Sequence, residues 1–283
     1  MRGIGKHDFY AGIINSLGKF LIGCLLFFVL GFLAVMEARV YEIDSLSFVE
    51  IVTYIFCGEK PFVVSRNSNE VFQLPIAWFV VQAYIAYVIG SYPLEDLHKY
   101  SINLLIRTKS RGKWWFGKVF WAMASNILIY IAGYLGVITS VICVKFYQGV
   151  LNASEWKDIL RFEIRPELAS VYGVDFSVLN RNQVYIMIFI FPIVTSITLS
   201  LLQLSISVAF GEVVAYGAIL FLCVGGAYYE NPMFIAALSM ATRTAGHIYA
   251  GKYAHLLHIC MGIMLASGIV GYGVMKKKDI YGC

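Results

Sequence analysis

Apolar runs about as long as a lipid bilayer is thick recur along this chain, and that pattern leaves few folds open. An α-helix needs about 20 apolar residues to cross a ~30 Å hydrocarbon core. Inside lipid, only helices and closed barrels satisfy their backbone groups internally. Runs of this kind extend from about Lys19 to Met36, Leu74 to Gly90, Phe120 to Val144, Val184 to Phe210, Gly211 to Tyr229 and Leu256 to Met275. The expectation is an all-α polytopic membrane protein, one transmembrane domain over residues 1–283 with six transmembrane helices. Composition points the same way: 59% of the residues are hydrophobic and 14% charged, too little polar surface for a soluble globule. The first run follows a basic stretch, as in a signal peptide. It has the length of a full span and no small-x-small cleavage site follows it cleanly, so a retained helix is expected.

A net charge of +5 would suggest nucleic acid in a soluble domain, but its distribution argues for a membrane and no nucleic-acid partner. Arg2, Lys6, Lys19, the cations from Lys99 to Lys118, and Lys276 to Lys278 fall on one side of the six-span topology; most acids fall on the other. Cations gather on the cytoplasmic side, so both termini are expected in the cytoplasm, with the spans in the cell membrane. The six cysteines have no C-x-x-C spacing and read as buried small hydrophobes.

The pieces between spans carry their own signals. In residues 1–19, Phe9, Ile13, Leu17 and Phe20 recur every three to four positions with Lys6, Asp8, Asn15 and Lys19 elsewhere on the wheel, an interfacial helix pattern. Gly12 to Lys19 imitates a phosphate-binding loop, but five residues separate the glycines where four are needed, and Phe20 replaces the Ser or Thr. Ser45 to Gly58 is an apolar helix too short to cross, expected on or within the outer leaflet. Residues 145–183 mix both charges and read as an extracellular loop. Residues 230–253 are too apolar for a free loop and too interrupted for a span, so shielded re-entrant helices are expected between spans five and six. The fourth span is the most polar: Pro192 should bend it, Ser196, Ser200, Gln203 and Ser207 share one arc, and Thr195, Thr198 and Ser205 a roughly opposite one. Such arcs line a path or glue helices together.

The segment 91–118 is the long basic stretch between apolar runs. Pro93 suits a first helical turn, with Glu95 and Asp96 near the positive end of the dipole, so a short helix is expected to start there. Leu94, Leu97, Tyr100 and Leu104 form one stripe, with His98, Lys99 and Asn103 off it. Arg107, Lys109, Arg111, Lys113 and Lys118 then surround Trp114 and Trp115, the signature of a cytoplasmic membrane surface. The plainer reading is a solvated loop that only sets topology.

No H-E-x-x-H, G-x-S-x-G or true P-loop is present, so no enzymatic role is expected of this chain. His255-x-x-His258, with His247 nearby, has a spacing that a metal or haem would accept; histidines at a membrane surface are the simpler reading. Glu212 and Arg243 are the charges nearest the hydrophobic depth.

In order, an in-plane N-terminal helix (Gly12 to Lys19), a basic amphipathic segment after the second span (Leu94 to Arg111) and a broken hairpin before the last (Asn231 to Lys252) resemble the membrane subunits of ABC-2 type, or type V, ABC transporters. The resemblance covers essentially the whole chain through loose motifs. It implies a permease of an ATP-driven exporter, with no cofactor of its own. A partner ABC ATPase dimer would bind ATP and Mg, and a second membrane subunit would complete a homodimer or heterodimer. It further implies that 94–111 is a coupling helix, with Glu95, Asp96, Leu97, His98, Lys99, Arg107, Lys109 and Arg111 at the ATPase contact. Asn126, Tyr130, Thr195, Thr198, Gln203 and Ser205 would border the translocation path. The alternatives are a membrane assembly or immunity protein without transport, and a metal- or haem-binding redox subunit.

Overall fold

The computed structural model describes residues 10, 12–41, 43, 46–62, 71–96, 110–148, 164–165, 167–168, 172, 174, 176–229, 231 and 233–277, and among these the regular elements are all helical. They are α1 (Leu17–Val40), α2 (Phe48–Cys57), α3 (Ile76–Asp96), α4 (Arg111–Tyr147), α5 (Arg181–Phe210), α6 (Glu212–Tyr228), α7 (Ala241–Tyr249) and α8 (Tyr253–Lys277). Four of them, α1, α4, α5 and α8, are long and apolar enough to cross a membrane. The apolar part of α3, Ile76–Gly90, and the whole of α6 are shorter apolar helices.

α5 lies at the centre, against α3, α4, α6 and α8, while α1 runs along α4. The sequence dictates this placement. Thr195, Ser196, Thr198, Ser200, Gln203, Ser205 and Ser207 stud α5 all round, and lipid offers their polar atoms no partner, so the helix must be enclosed by protein. α5 is also irregular. Ile186–Ile190 form a π-turn before regular helix resumes at Phe191, where Pro192 has no N–H to give to the ladder. The carbonyl of Pro192 accepts a hydrogen bond from the Tyr130 hydroxyl at 3.0 Å. The distortion expected at Pro192 therefore sits in the preceding turn.

α1 and α4 approach each other through small residues. A Cβ at Gly136 would run into the carbonyl oxygen of Cys24, and one at Gly133 would press on the Phe27 ring. Close backbone approach through Gly is how helices gain packing contacts in a membrane, where no hydrophobic driving force separates helix from lipid.

α2 is buried along almost its whole length. Ser47 and Glu50 close a capping box at its start, and Glu50, 2% exposed, receives the Arg165 guanidinium at 2.8 Å and 3.0 Å. This pair holds a described part of the 145–183 loop against α2; the Tyr172 hydroxyl adds a bond to the Glu50 carbonyl at 3.0 Å. Glu50 in turn holds the Arg165 guanidinium above its ordinary pKa through those hydrogen bonds. Beside α2 lies the 230–253 segment, which contains a 3-10 turn, Ile235–Ser239, and α7. Thr242 donates to the carbonyl of Cys57 at 3.0 Å, and the Trp78 indole of α3 donates to Ser239 at 2.6 Å.

Three boundaries differ from those expected. α3 does not stop for a new helix at Pro93 but runs through it to Asp96, the last described residue of this stretch, at the loss of the one ladder bond that a proline removes. α4 starts at Arg111 and has 37 residues, about 55 Å at 1.5 Å per residue, so it extends well beyond a ~30 Å core. At the N-terminus, Ile14–Ser16 form a 3-10 turn that runs directly into α1; residues 1–9 and 11 lie outside the described residues.

The α1–α4 contact yields a test. Gly136→Ala should destabilise the detergent-purified protein by roughly 1–3 kcal/mol, the usual cost of overpacking. Gly217→Ala, at a position with no neighbour within 4 Å of the added methyl, should leave the unfolding midpoint unchanged.

Candidate functional site at the root of the basic segment

Arg111, Trp114, Trp115 and Lys118 occur at spacings of three, four and seven in α4, which puts them on one face of its first turns. That face is turned inward. Trp114 is 1% exposed, and Trp115 and Lys118 are fully buried, so these tryptophans are packed and do not form the membrane-surface belt expected of them. Each makes a different attachment. The Trp115 indole donates to the carbonyl of Gly268 in α8 at 2.9 Å, and its ring occupies the space that a side chain at Gly271 would need. Trp114 and Trp115 form a small apolar cluster with Leu204 and Val208 of α5 and Met275 of α8.

The cations at this root are bound as well. Arg111 donates to the carbonyls of Met275 at 3.2 Å and Lys276 at 2.8 Å, the negative end of the α8 dipole. The Lys118 ammonium lies 4.3 Å from the Tyr92 ring centroid and 5.6 Å from that of Trp114, a cation–π geometry that favours a desolvated cation. Tyr92 belongs to α3, and its ring packs on Trp121 at 4.4 Å between centroids. The first turns of α4 are thus joined to α3, α5 and α8 where the basic segment enters the bundle.

Of the proposed ATPase-contact residues, Arg111 stands at this root, and Glu95 and Asp96 are the last described residues of α3. Leu97, His98, Lys99, Arg107 and Lys109 lie outside the described residues.

The six proposed path residues are all buried, and they divide between two helix contacts. On the α3–α4 side, Asn126 donates to Ser200 at 3.0 Å, and Tyr130 and Ser196 are 2.7 Å apart. Ser196 also donates to Gln82 at 3.0 Å, and Gln203 donates to the Ala86 carbonyl at 2.9 Å. On the α8 side, Ser205 donates to the Ser267 carbonyl at 2.6 Å, while the buried Thr195 hydroxyl has no hydrogen-bond partner among the described residues. Thr198 back-bonds to Val194 at 2.8 Å. Within one chain, both polar arcs of α5 take part in helix packing.

Other singled-out charges sit at helix ends. Arg243 donates to the Ala227 carbonyl at 2.6 Å, in the last turn of α6. Glu212 is exposed beside Gly211, which has a φ of 94°. His247, His255 and His258 are exposed, and among the described residues no three metal-ligating side chains gather. Sequence reasoning missed the Glu50–Arg165 pair. Ser47-x-x-Glu50 ahead of an apolar run is itself a capping-box signature, but nothing local points to a partner 115 residues away.

Truncating the root should be costly. Trp115→Ala should destabilise the purified protein by about 3–5 kcal/mol, as for a buried aromatic, read as a lowered unfolding midpoint; Trp115→Phe, which loses the indole bond but fills most of the slot, should cost less than half of that. Comparison of the chain with protein-family models, with curated proteins and with solved structures gives no match.

Proposed function

We propose that this chain is the membrane subunit of an ATP-driven exporter of the ABC-2 type, with α1, α3, α4, α5, α6 and α8 as its six crossings and residues 94–111 as the helix that docks a separate ATPase. In this reading the chain performs no covalent chemistry. ATP and Mg bind in the partner dimer, whose closure pushes on the docking segment. The translocation path is enclosed with a second membrane subunit in the cell membrane, with both termini in the cytoplasm.

The observation that carries the proposal is the root of the basic segment. A segment that only set topology would need cations and no more. Here its C-terminal flank is bonded to α8 through Arg111 and Trp115, and to Tyr92 of α3 through Lys118, so a displacement of the segment is passed to several long helices together. The largely buried 3-10 turn and the half-buried α7 between α6 and α8 support the same reading, since a broken hairpin at that point is part of the resemblance.

The test is charge reversal at the last described residues of α3. Glu95→Lys combined with Asp96→Lys should lower the amount of ATPase subunit that copurifies from native membranes by about tenfold or more, equivalent to ~1.4 kcal/mol, with the chain still inserted. Unchanged copurification and unchanged export would overturn the docking assignment.

A further inference from the structure

Beyond the glycine contact at Gly136, α1 and α4 leave a groove on their outward face. Phe28, Phe32 and Met36 on α1 and Cys143, Val144 and Tyr147 on α4 line it, and its volume is about 540 Å³, within the ~300–1,000 Å³ common for small-molecule sites. The α1 residues are spaced by four, so the groove follows one edge of the helix. From Phe28 to Arg39 it runs about 16 Å at 1.5 Å per residue, close to the depth of one leaflet of a ~30 Å core.

Its far end is polar. Arg39, the charged residue of the lining among the described residues, is exposed in the last turn of α1, beside Tyr147 at the end of α4. Glu37, two positions earlier, faces elsewhere and accepts a hydrogen bond from Tyr54 of α2 at 2.6 Å. The acid is thus drawn to one side of α1, and the guanidinium is left over the groove. An apolar slot one leaflet deep, capped by a cation and a tyrosine at the level where both helices end, is complementary in shape and charge to an anionic phospholipid.

We propose that this groove binds one anionic phospholipid, an acyl chain lying along Phe28, Phe32 and Met36 and the phosphate on Arg39. A single cation over the groove favours phosphatidylglycerol over phosphatidylcholine, whose own ammonium offsets its phosphate. The site does not depend on the export reading, because nothing at the root of the basic segment enters it.

The full chain, reconstituted in phosphatidylcholine vesicles, would be photolabelled with trace diazirine-acyl phosphatidylglycerol or phosphatidylcholine and the adducts mapped by mass spectrometry. Adducts on peptides 28–36 and 143–147 should favour phosphatidylglycerol about fivefold, the effect of one arginine's attraction to anionic lipid. Arg39→Gln, at an exposed position, should reduce that ratio to about one. Val144→Trp should empty the groove of both lipids, while labelling at Leu265 and Ile269, exposed on α8, stays unchanged as the baseline. Equal labelling by the two lipids, or a preference that survives Arg39→Gln, would mean passing bilayer lipid and would sink the proposal. Groove peptides cross-linked to a second copy in place of lipid would do the same.

Discussion

The absence of water around a membrane helix governs how this bundle is built. α5 carries more hydroxyl and amide side chains than lipid can tolerate, and most of them find a partner in protein, the Thr195 hydroxyl being an exception among the described residues. Tyr130 and Asn126 of α4, Gln82 and the Ala86 carbonyl of α3, and the Ser267 carbonyl of α8 supply those partners. Individually such bonds contribute only about 0.6–2 kcal/mol in a membrane, because alternative partners exist in the unfolded reference state. Their larger effect is geometric: they fix the rotation of α5 about its axis and so the positions of the helices around it.

Charges are handled by a different rule. The bonded guanidiniums sit at helix ends, where unsatisfied backbone groups and the dipole are strongest. Arg111 covers the last carbonyls of α8, Arg243 a carbonyl in the last turn of α6, and Arg165 reaches the capping carboxylate of α2. Each ties its helix end to a segment remote in sequence. The Arg111 tie lies beside Trp115 and Lys118, so the basic segment is joined to the bundle by packing, a cation–π contact and a dipole contact at once. This concentration of attachments ties the entry of the basic segment to three helices, α3, α5 and α8, together.

Much of this was legible in the sequence because hydropathy is local. Four of the six long apolar runs appear as helices long enough to cross and two as shorter apolar helices, and the short helix before Gly58 and the broken stretch ahead of the last helix appear where the residues place them. The two arcs on α5 were legible too, as a 3.6-residue periodicity. What those arcs do was not, since a serine that lines a path and one that bonds across a helix contact give the same pattern. Ser205 reads identically in sequence whether it faces a cavity or the Ser267 carbonyl. Nor did the sequence reveal that Trp114 and Trp115 are buried. Cations beside tryptophan usually mark an interface, and only the slot at Gly271, more than 150 residues away, draws Trp115 inward. Pro93 is locally ambiguous: a proline suits a first helical turn, yet α3 runs through this one at the loss of a ladder bond.

A docking role for the basic segment requires that it face the cytosol. The direct measurement is side-specific labelling of Ser101→Cys in a cysteine-free background with a membrane-impermeant maleimide. Modification in inverted vesicles and none in intact cells is the expected result. Modification in intact cells would place the segment outside, beyond the reach of any ATPase, and would contradict the assignment.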